Sequence, residues 1–149
     1  MLKMVMDGSD RIEIMVPDRD KELGLPYSEG GVRAGFPSPA EDFMPRHIDL
    51  NRELIKHPAS TFYARVCGES MTGAGIGDGD LLVIDRAVEP YDMCVAVCFL
   101  DGEFTLKYVK TGPDGLTLLP ANPSFRPIKV SPEDQFTLWG VVRYVIKKL

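Results

Sequence analysis

Residues 66–85, VCGESMTGAGIGDGDLLVID, place a serine in a glycine-rich bend that a strand-like run follows. Ser70 stands between Glu69 and Met71, two positions after Gly68. Such a bend can expose a hydroxyl and present backbone N–H groups beside it, which is what a serine nucleophile needs. The same residue types also form ordinary turns. A nucleophilic role therefore depends on whether the chain holds a base that can take the serine proton.

Two kinds of base are available. His47 and His57 bracket a short helical segment, and a Ser–His–Asp arrangement takes its members in any chain order. The residues around His57, KHPAS, are also typical of a helix end, where a polar side chain caps carbonyl groups. The other candidate is Lys107, which strand alternation places on one face with Thr105 and Val109. A lysine has an ordinary pKa of about 10.4, so Lys107 would be inert if exposed and a usable base only if buried.

The elements that would position these side chains are mostly strands. RHIDLNRELIKHP predicts a short helix with Asp49 as N-cap and Pro58 at its end. Beyond it, STFYARVCG, GDLLVIDR, MCVAVCFL, EFTLKYVK, GLTLLPA and FTLWGVVRYVIKKL predict strands, with DGE at 101–103 as a hairpin turn. Residues 1–45 are rich in Pro and Gly, and only RIEIMV is strand-like there. We expect a mainly β fold: a compact, strongly bent antiparallel β body with an extended N-terminal arm and one short helix.

Composition restricts the class of protein. The chain of 149 residues fits one domain, and its net charge of −5 argues against direct, sequence-specific nucleic-acid binding, which needs a basic surface. Cys67, Cys94 and Cys98 lie in apolar runs without metal-ligand spacing, so we expect small buried hydrophobes in a reducing compartment and neither metal nor cofactor. No run of about 18 apolar residues predicts a membrane span, and Asp7 and Asp10 interrupt the N-terminus too early for a signal peptide. These features predict a cytoplasmic protein.

One family has this combination of motifs. GESMTGAGIGDGDLLVIDR, with the lysine of DGEFTLKYV 37 positions after Ser70, resembles the LexA/UmuD family of self-cleaving Ser–Lys peptidases. In that family a Ser–Met pair follows a glycine and one further residue, and the lysine lies in the strand after a hairpin. The resemblance continues through LLPANPSFRPIKV and WGVVRYVI, and upstream through IDLNRELIKHP. It covers roughly residues 33–149, so it is more specific than the Ser–Met pair alone. It also implies that the β body is of the LexA/UmuD C-terminal type.

The resemblance implies that the chain cuts itself between a small residue and a glycine. VRAGFPSPAEDF supplies Ala34 and Gly35 where the Pro- and Gly-rich arm ends. The implied division is an N-terminal arm, residues 1–34, that self-cleavage removes, and a Ser–Lys peptidase-like β domain, residues 35–149.

The site residues follow from the same resemblance. Ser70 is implied as the nucleophile, Lys107 as its general base, and the backbone N–H groups of Glu69 and Ser70 as the donors that face the oxyanion. The sequence departs from the family pattern at Ala34, where some members have cysteine, and at Tyr91-Asp92, where the usual pair before the third strand is Gly-Asp. Neither departure touches the serine or the lysine.

Within the family, the resemblance is to members that act as accessory subunits of a translesion DNA polymerase. Repressors of the family carry a helix-turn-helix domain before the peptidase, whereas here 33 residues precede AGFPSPA and predict no such helices. The implied partners are the RecA–single-strand DNA filament, which stimulates cleavage in the SOS response to DNA damage, and a UmuC-like, Y-family polymerase active in error-prone repair. A homodimer in the bacterial cytoplasm is also implied.

Three alternatives remain open. A signal peptidase uses a similar Ser–Met and lysine pair, although the apolar membrane segment is missing here. A non-catalytic polymerase adaptor would leave Ser70 and Lys107 inert. A fragment of a LexA-type or phage-type repressor would share the peptidase motifs and have a neighbouring helix-turn-helix reading frame.

Overall fold

The structure, a computed structural model, describes residues 2–5, 11–17, 24–28, 34–35 and 45–149. The chain forms two compact units: Asp18–Lys56, and Met1–Pro17 together with His57–Leu149. In chain order the elements are β1 (Leu2–Val5), β2 (Arg11–Met15), β3 (Gly24–Ser28), β4 (Pro45–Asp49), α1 (Leu50–Leu54), β5 (Thr61–Cys67), β6 (Leu81–Asp85), β7 (Cys94–Leu100), β8 (Glu103–Gly112), β9 (Gly115–Leu119), β10 (Ile128–Lys129) and β11 (Phe136–Ile146). Short 3-10 turns occupy Pro58–Ser60 and Thr72–Ala74. No helix in these described ranges is long and apolar enough to cross a membrane.

Antiparallel strand pairing dominates the larger unit. Its described strands form one sheet in the order β1-β2-β5-β6-β11-β7-β8-β9-β10. β7 and β8 are joined through Asp101 and Gly102, whose positive φ values of 48° and 87° suit a two-residue hairpin turn. The predicted mainly β fold and the predicted hairpin are therefore confirmed.

The smaller unit contains β3, β4 and α1, and β3 pairs antiparallel with β4. The Asp49 carboxylate accepts the backbone N–H of Asn51 at 3.0 Å, so the predicted N-cap and helix are confirmed. The helix ends at Leu54, with Ile55 as C-cap, so it stops before the predicted Pro58. Residues before the helix, Pro45–Asp49, form β4, a strand that the sequence did not predict.

The N-terminal segment has more strand than its sequence suggests. RIEIMV was the one predicted strand, and β2 confirms it, but β1, β3 and β4 are strands as well. Strands of four or five residues depend on a pairing partner more than on their own alternation, which explains why the sequence did not reveal them. β2 pairs along its whole length with β5, and Ile14 is buried in the core.

β11 bends the sheet, because two register shifts interrupt its pairing, one between Leu138 and Gly140 and one between Val142 and Tyr144. A Cβ at Gly140 would lie 2.6 Å from Ile84 Cγ2, so glycine permits the close approach of β11 to β6.

Two apolar clusters lie against opposite faces of the bent sheet. On β7, Val97 packs into one cluster, whereas Cys94, Ala96 and Cys98 pack into the other. β8 alternates in the same way, with Phe104 and Leu106 in the first cluster and Val109 in the second. β8 is therefore covered on both faces over most of its length, and a lysine within it is buried.

The turn before β7 accommodates Tyr91-Asp92 without the glycine that the family usually has there. The Asp92 carboxylate accepts the Thr111 N–H at 2.8 Å and the Thr111 hydroxyl at 3.2 Å, and the hydrogen bond from that N–H lowers the pKa of Asp92. Met93 takes the positive φ, 63°, that this turn requires. Thr111 on β8 thus fixes the turn through the aspartate side chain.

Candidate functional site

Ser70 lies in the connection that follows β5. Gly68 has a φ of 112°, a value that L side chains rarely adopt, and it turns the chain away from β5. Ser70 and Met71 come next, and the 3-10 turn Thr72–Ala74 follows. The Met71 side chain is 2% exposed and packs into the first apolar cluster, which anchors the connection to the body. The backbone carbonyl of Met71 also accepts the N–H groups of Ala74 at 3.0 Å and Ile76 at 3.2 Å.

Lys107 meets Ser70 from the middle of β8. Its Nζ donates to Ser70 Oγ at 3.1 Å and to the Leu106 carbonyl at 3.1 Å. Lys107 is 5% exposed and Ser70 is 3% exposed. The contact therefore lies in a region from which water is largely excluded, where burial disfavours a charged amine. A hydroxyl hydrogen-bonded to a buried amine is the arrangement in which that amine, when neutral, can take the hydroxyl proton.

The strand beside Lys107 is equally buried. Ala96 pairs with Lys107 and Cys98 pairs with Thr105 across β7 and β8. Burial raises the pKa of the Cys98 thiol to about 12, and Cys94 adds to the rise while Lys107 opposes it. The thiol beside this lysine is therefore protonated at neutral pH and acts as a small apolar side chain. Cys94 and Cys98 are buried as predicted, whereas Cys67 is only half-buried, so the prediction was wrong for Cys67.

The segment after β9 holds the serine connection by hydrogen bonds to its backbone. Asn122 Nδ2 donates to the Glu69 carbonyl at 2.8 Å. The Ala121 N–H donates to the Ser70 carbonyl at 2.8 Å, and the Ala121 carbonyl accepts the Gly73 N–H at 2.6 Å. We call Ala121 and Asn122 the clamp. The clamp residues were absent from the sequence-based site; the dipeptide Asn-Pro predicts a turn, and no spacing rule connects a turn to a serine fifty residues earlier.

His57, the alternative base, lies in a different hydrogen-bonding arrangement. Its Nδ1 is 2.5 Å from Asp85 Oδ2, and the Ser60 hydroxyl donates to the other oxygen of the same carboxylate at 3.3 Å. The prediction that the side chain caps helix carbonyls was wrong: its partner is the buried Asp85 at the end of β6. His47 is exposed on β4, in the smaller unit. Of the candidate bases, Lys107 is the one that the structure joins to the Ser70 hydroxyl.

Ala34 and Gly35, the candidate scissile pair, lie in the smaller unit and both are exposed. They form a bend, and Gly35 has a φ of 100° with open space where a Cβ would be. The described ranges contain no group of three or more His, Cys, Asp or Glu residues that could hold a metal ion.

The chain is similar to known proteins over most of its length. The family model described as Peptidase S24-like matches residues 26–143. Protein ImpA of Salmonella typhimurium is 38% identical over 138 residues, which is 89% of this chain and 90% of ImpA. Protein SamA of Salmonella typhimurium strain LT2 is 41% identical over 115 residues, 77% of this chain and 79% of SamA. The LexA repressor of Erwinia tasmaniensis is 36% identical over 148 residues, 99% of this chain and 71% of the repressor.

Proposed function

Because the chain belongs to the peptidase S24-like family, we propose that it is a serine peptidase that cuts itself between Ala34 and Gly35. Ser70 is the nucleophile and Lys107 the general base. The observation that carries the proposal is the 3.1 Å hydrogen bond from Lys107 Nζ to Ser70 Oγ, made between two buried side chains. The family match also bears out the resemblance to LexA and UmuD that the motifs indicated.

The proposed chemistry uses one proton acceptor throughout. Neutral Lys107 takes the Ser70 hydroxyl proton as Oγ attacks the Ala34 carbonyl carbon. The carbonyl oxygen becomes an oxyanion, which the N–H groups of Glu69 and Ser70 stabilise. When the Ala34–Gly35 C–N bond breaks, Lys107 gives the proton to the departing Gly35 amine. Water then hydrolyses the acyl ester on Ser70, with Lys107 again accepting a proton and returning it to Oγ.

The substrate segment suits this chemistry. Ala34 and Gly35 are exposed and carry the smallest side chains, so little hinders the approach of a hydroxyl to the bond between them. A segment of the same chain, or of a second copy, reacts at a high effective concentration, so one slow turnover per molecule is enough. Control can then act on how often the segment is docked at Ser70, and the catalytic side chains need not change.

The biological role proposed is that of an SOS-response protein. In this role a RecA–single-strand DNA filament stimulates the cut, and residues 35–149, as a homodimer in the bacterial cytoplasm, act with a UmuC-like translesion polymerase. The similarity to ImpA and SamA over most of both chains supports an SOS-type protein, and the accessory role is proposed from the resemblance of the motifs. The similarity to a LexA repressor over nearly the whole chain keeps a repressor-like function as the second candidate. A non-catalytic adaptor remains the rival if the chain does not cut.

Intact-mass spectrometry of the purified chain, incubated near pH 7 and near pH 10, tests the proposal. Fragments of 34 and 115 residues should appear faster at the alkaline pH and be absent in Ser70→Ala and Lys107→Ala. Lys110→Ala, at an exposed lysine on the same strand, is the matched control and should cut normally. Cutting that survives the loss of Lys107 would reject the Ser70–Lys107 pair, and no cutting at either pH would reject self-cleavage and favour the non-catalytic adaptor.

The role of RecA has its own test. Activated RecA filament on single-strand DNA should raise the cutting rate near pH 7 and leave Ser70→Ala uncut. A chain that cuts at alkaline pH and does not respond to the filament would retain the peptidase proposal and lose the SOS one.

A further inference from the structure

The two peptide groups that flank Ser70 are both held by the clamp. The peptide between Glu69 and Ser70 is held through its carbonyl, which accepts Asn122 Nδ2 at 2.8 Å. The peptide between Ser70 and Met71 is held through the Ser70 carbonyl, which accepts the Ala121 N–H at 2.8 Å. One of these bonds comes from the main chain and the other from a side chain. A substitution of Asn122 can therefore remove the side-chain bond to Glu69 and leave the main-chain bond from Ala121 intact.

The orientation of Asn122 is fixed by its second contact. Its side-chain oxygen accepts the Ser124 N–H at 2.9 Å, so the amide nitrogen must be the atom that faces the Glu69 carbonyl. The Glu69 carbonyl also accepts the Thr72 N–H, at 3.4 Å. That distance is long for an N–H···O bond, so the contact at 2.8 Å determines the direction of the carbonyl.

The carbonyl and the N–H of a trans peptide point in opposite directions within one plane. The Glu69 carbonyl and the Ser70 N–H belong to the same peptide, which is not cis. When Asn122 fixes the carbonyl, it fixes the direction of the Ser70 N–H, which points away from the clamp. In the mechanism proposed above, this N–H is one of the two that stabilise the oxyanion. An oxyanion donor is effective only when it is already aimed at the charge that develops.

We propose that Asn122 is a positioning residue, which aims the Ser70 N–H at the oxyanion through its hydrogen bond to the Glu69 carbonyl. This inference rests on the proposed self-cleavage at Ser70. Asn122 does not touch the reacting atoms, so its loss leaves the serine and the lysine in place and lowers the rate of the attack on the carbonyl.

Asn122→Asp separates positioning from turn structure. An aspartate keeps the oxygen that accepts the Ser124 N–H and loses the donor to Glu69. In the full-length chain it should lower the first-order rate of self-cleavage about 10- to 100-fold, below or at the low end of the loss seen when an oxyanion donor is removed. The midpoint of the rate–pH profile should not move, because the base is unchanged, and the melting temperature should stay near that of the wild type.

Two further variants control for charge. Gln135→Glu makes the same amide-to-carboxylate change at an exposed site and should cut like the wild type. Asn122→Ala removes the donor without adding a charge, and it should slow cutting by a factor similar to that of Asn122→Asp. If only the aspartate slows cutting, the added charge is the cause and positioning is rejected. A shifted pH midpoint, or wild-type cutting in both variants, rejects it as well.

Labelling with a fluorophosphonate separates failure of the inference from failure of the proposed function. The probe phosphonylates an active serine and places an oxygen at the oxyanion position without needing Ala34–Gly35 to dock. If the wild type is labelled at Ser70 but does not cut, a slower labelling of Asn122→Asp supports positioning, and equal labelling overturns it. If the wild type neither cuts nor is labelled, the peptidase and the positioning role are both rejected.

Discussion

Gly73→Ala should damage the site by pushing the serine connection away from the clamp. A Cβ at position 73 would lie 2.5 Å from the Ala121 carbonyl oxygen and 3.3 Å from its carbon, both backbone atoms. Ordinary contact begins at 3.4 Å, so the two segments must separate by about 3.4 − 2.5 = 0.9 Å, because a backbone atom cannot rotate aside.

The magnitude follows from that displacement. The Gly73 nitrogen lies 2.6 Å from the Ala121 carbonyl oxygen, and a shift of about 0.9 Å takes this distance to the outer limit of a hydrogen bond. Loss of that hydrogen bond costs about 0.5–1.5 kcal/mol. With the strain of overpacking, the free energy of unfolding should fall by about 1–3 kcal/mol. Ser70 is three residues from Gly73 and shares the clamp, and a misplacement of about 1 Å can cost about 100-fold in rate. We therefore expect cutting to slow by about 10- to 100-fold.

The assay combines urea unfolding with intact-mass kinetics near pH 10. Gly140→Ala is the matched control: its Cβ would lie 2.6 Å from Ile84 Cγ2 on β6, so it should lose similar stability and cut at the wild-type rate. In Gly112→Ala the new Cβ would lie 3.9 Å from its nearest neighbour, so neither the stability nor the cutting rate should change. If Gly73→Ala cuts normally, or if Gly140→Ala slows cutting as much, the clamp has no specific link to the serine and the reasoning fails.

Three further outcomes are expected. Burial raises the pKa of Asp80, but hydrogen bonds from the Gly77 N–H and Lys147 outweigh burial and lower that pKa. The stability that Asp80 contributes is therefore present above about pH 4 and is lost as the pH falls through its lowered pKa. The melting temperature of Asp80→Asn should lie below that of the wild type near pH 7, and the difference should shrink as the pH falls below about 4. Because Cys98 has a pKa of about 12 and is buried, a thiol reagent near pH 8 should modify Cys67 in the native protein and reach Cys98 only after unfolding, as peptide mapping can show. Ile14→Ala should remove about 2–4 kcal/mol of core packing, and hydrogen exchange at β2 should accelerate in the uncut chain; unchanged exchange would contradict the pairing of β2 with β5.

The sequence was informative where the structure depends on local pattern. Alternating apolar runs separated by glycine, aspartate and proline predict the strands from β5 to β9 and β11, and Asp101-Gly102 predicts the hairpin between β7 and β8. Ser70 and Lys107 were paired through the resemblance of two motifs to the LexA/UmuD family, which strand alternation alone did not provide, and a hydrogen bond joins their side chains. Burial on both faces of β8 explains why a lysine at an alternating position is not exposed.

The sequence did not predict contacts in which a single hydrogen bond joins segments far apart along the chain. The hydrogen bond from Asn122 to the Glu69 carbonyl and the one between His57 and Asp85 each link residues that no periodicity relates. β1 and β3 escaped prediction because such short strands are stabilised by their partners. The role of a side chain that holds a backbone carbonyl depends on the direction of one peptide plane, which no sequence pattern encodes.

The position of β2 has a consequence for any cut between Ala34 and Gly35. β2 lies on the N-terminal side of that bond, yet it is paired with β5 from Arg11 opposite Cys67 to Met15 opposite Tyr63. Hydrolysis of the Ala34–Gly35 peptide bond breaks none of these hydrogen bonds, so the arm would leave only after β2 separates from β5 in a second step. That step would expose the edge of β5, whose last residue lies three positions before Ser70. An exposed strand edge is a surface with which another extended chain can pair. Native mass spectrometry of the cut protein should therefore find the two fragments together, and complete loss of the small fragment as soon as the bond is cut would show that β2 does not hold the arm.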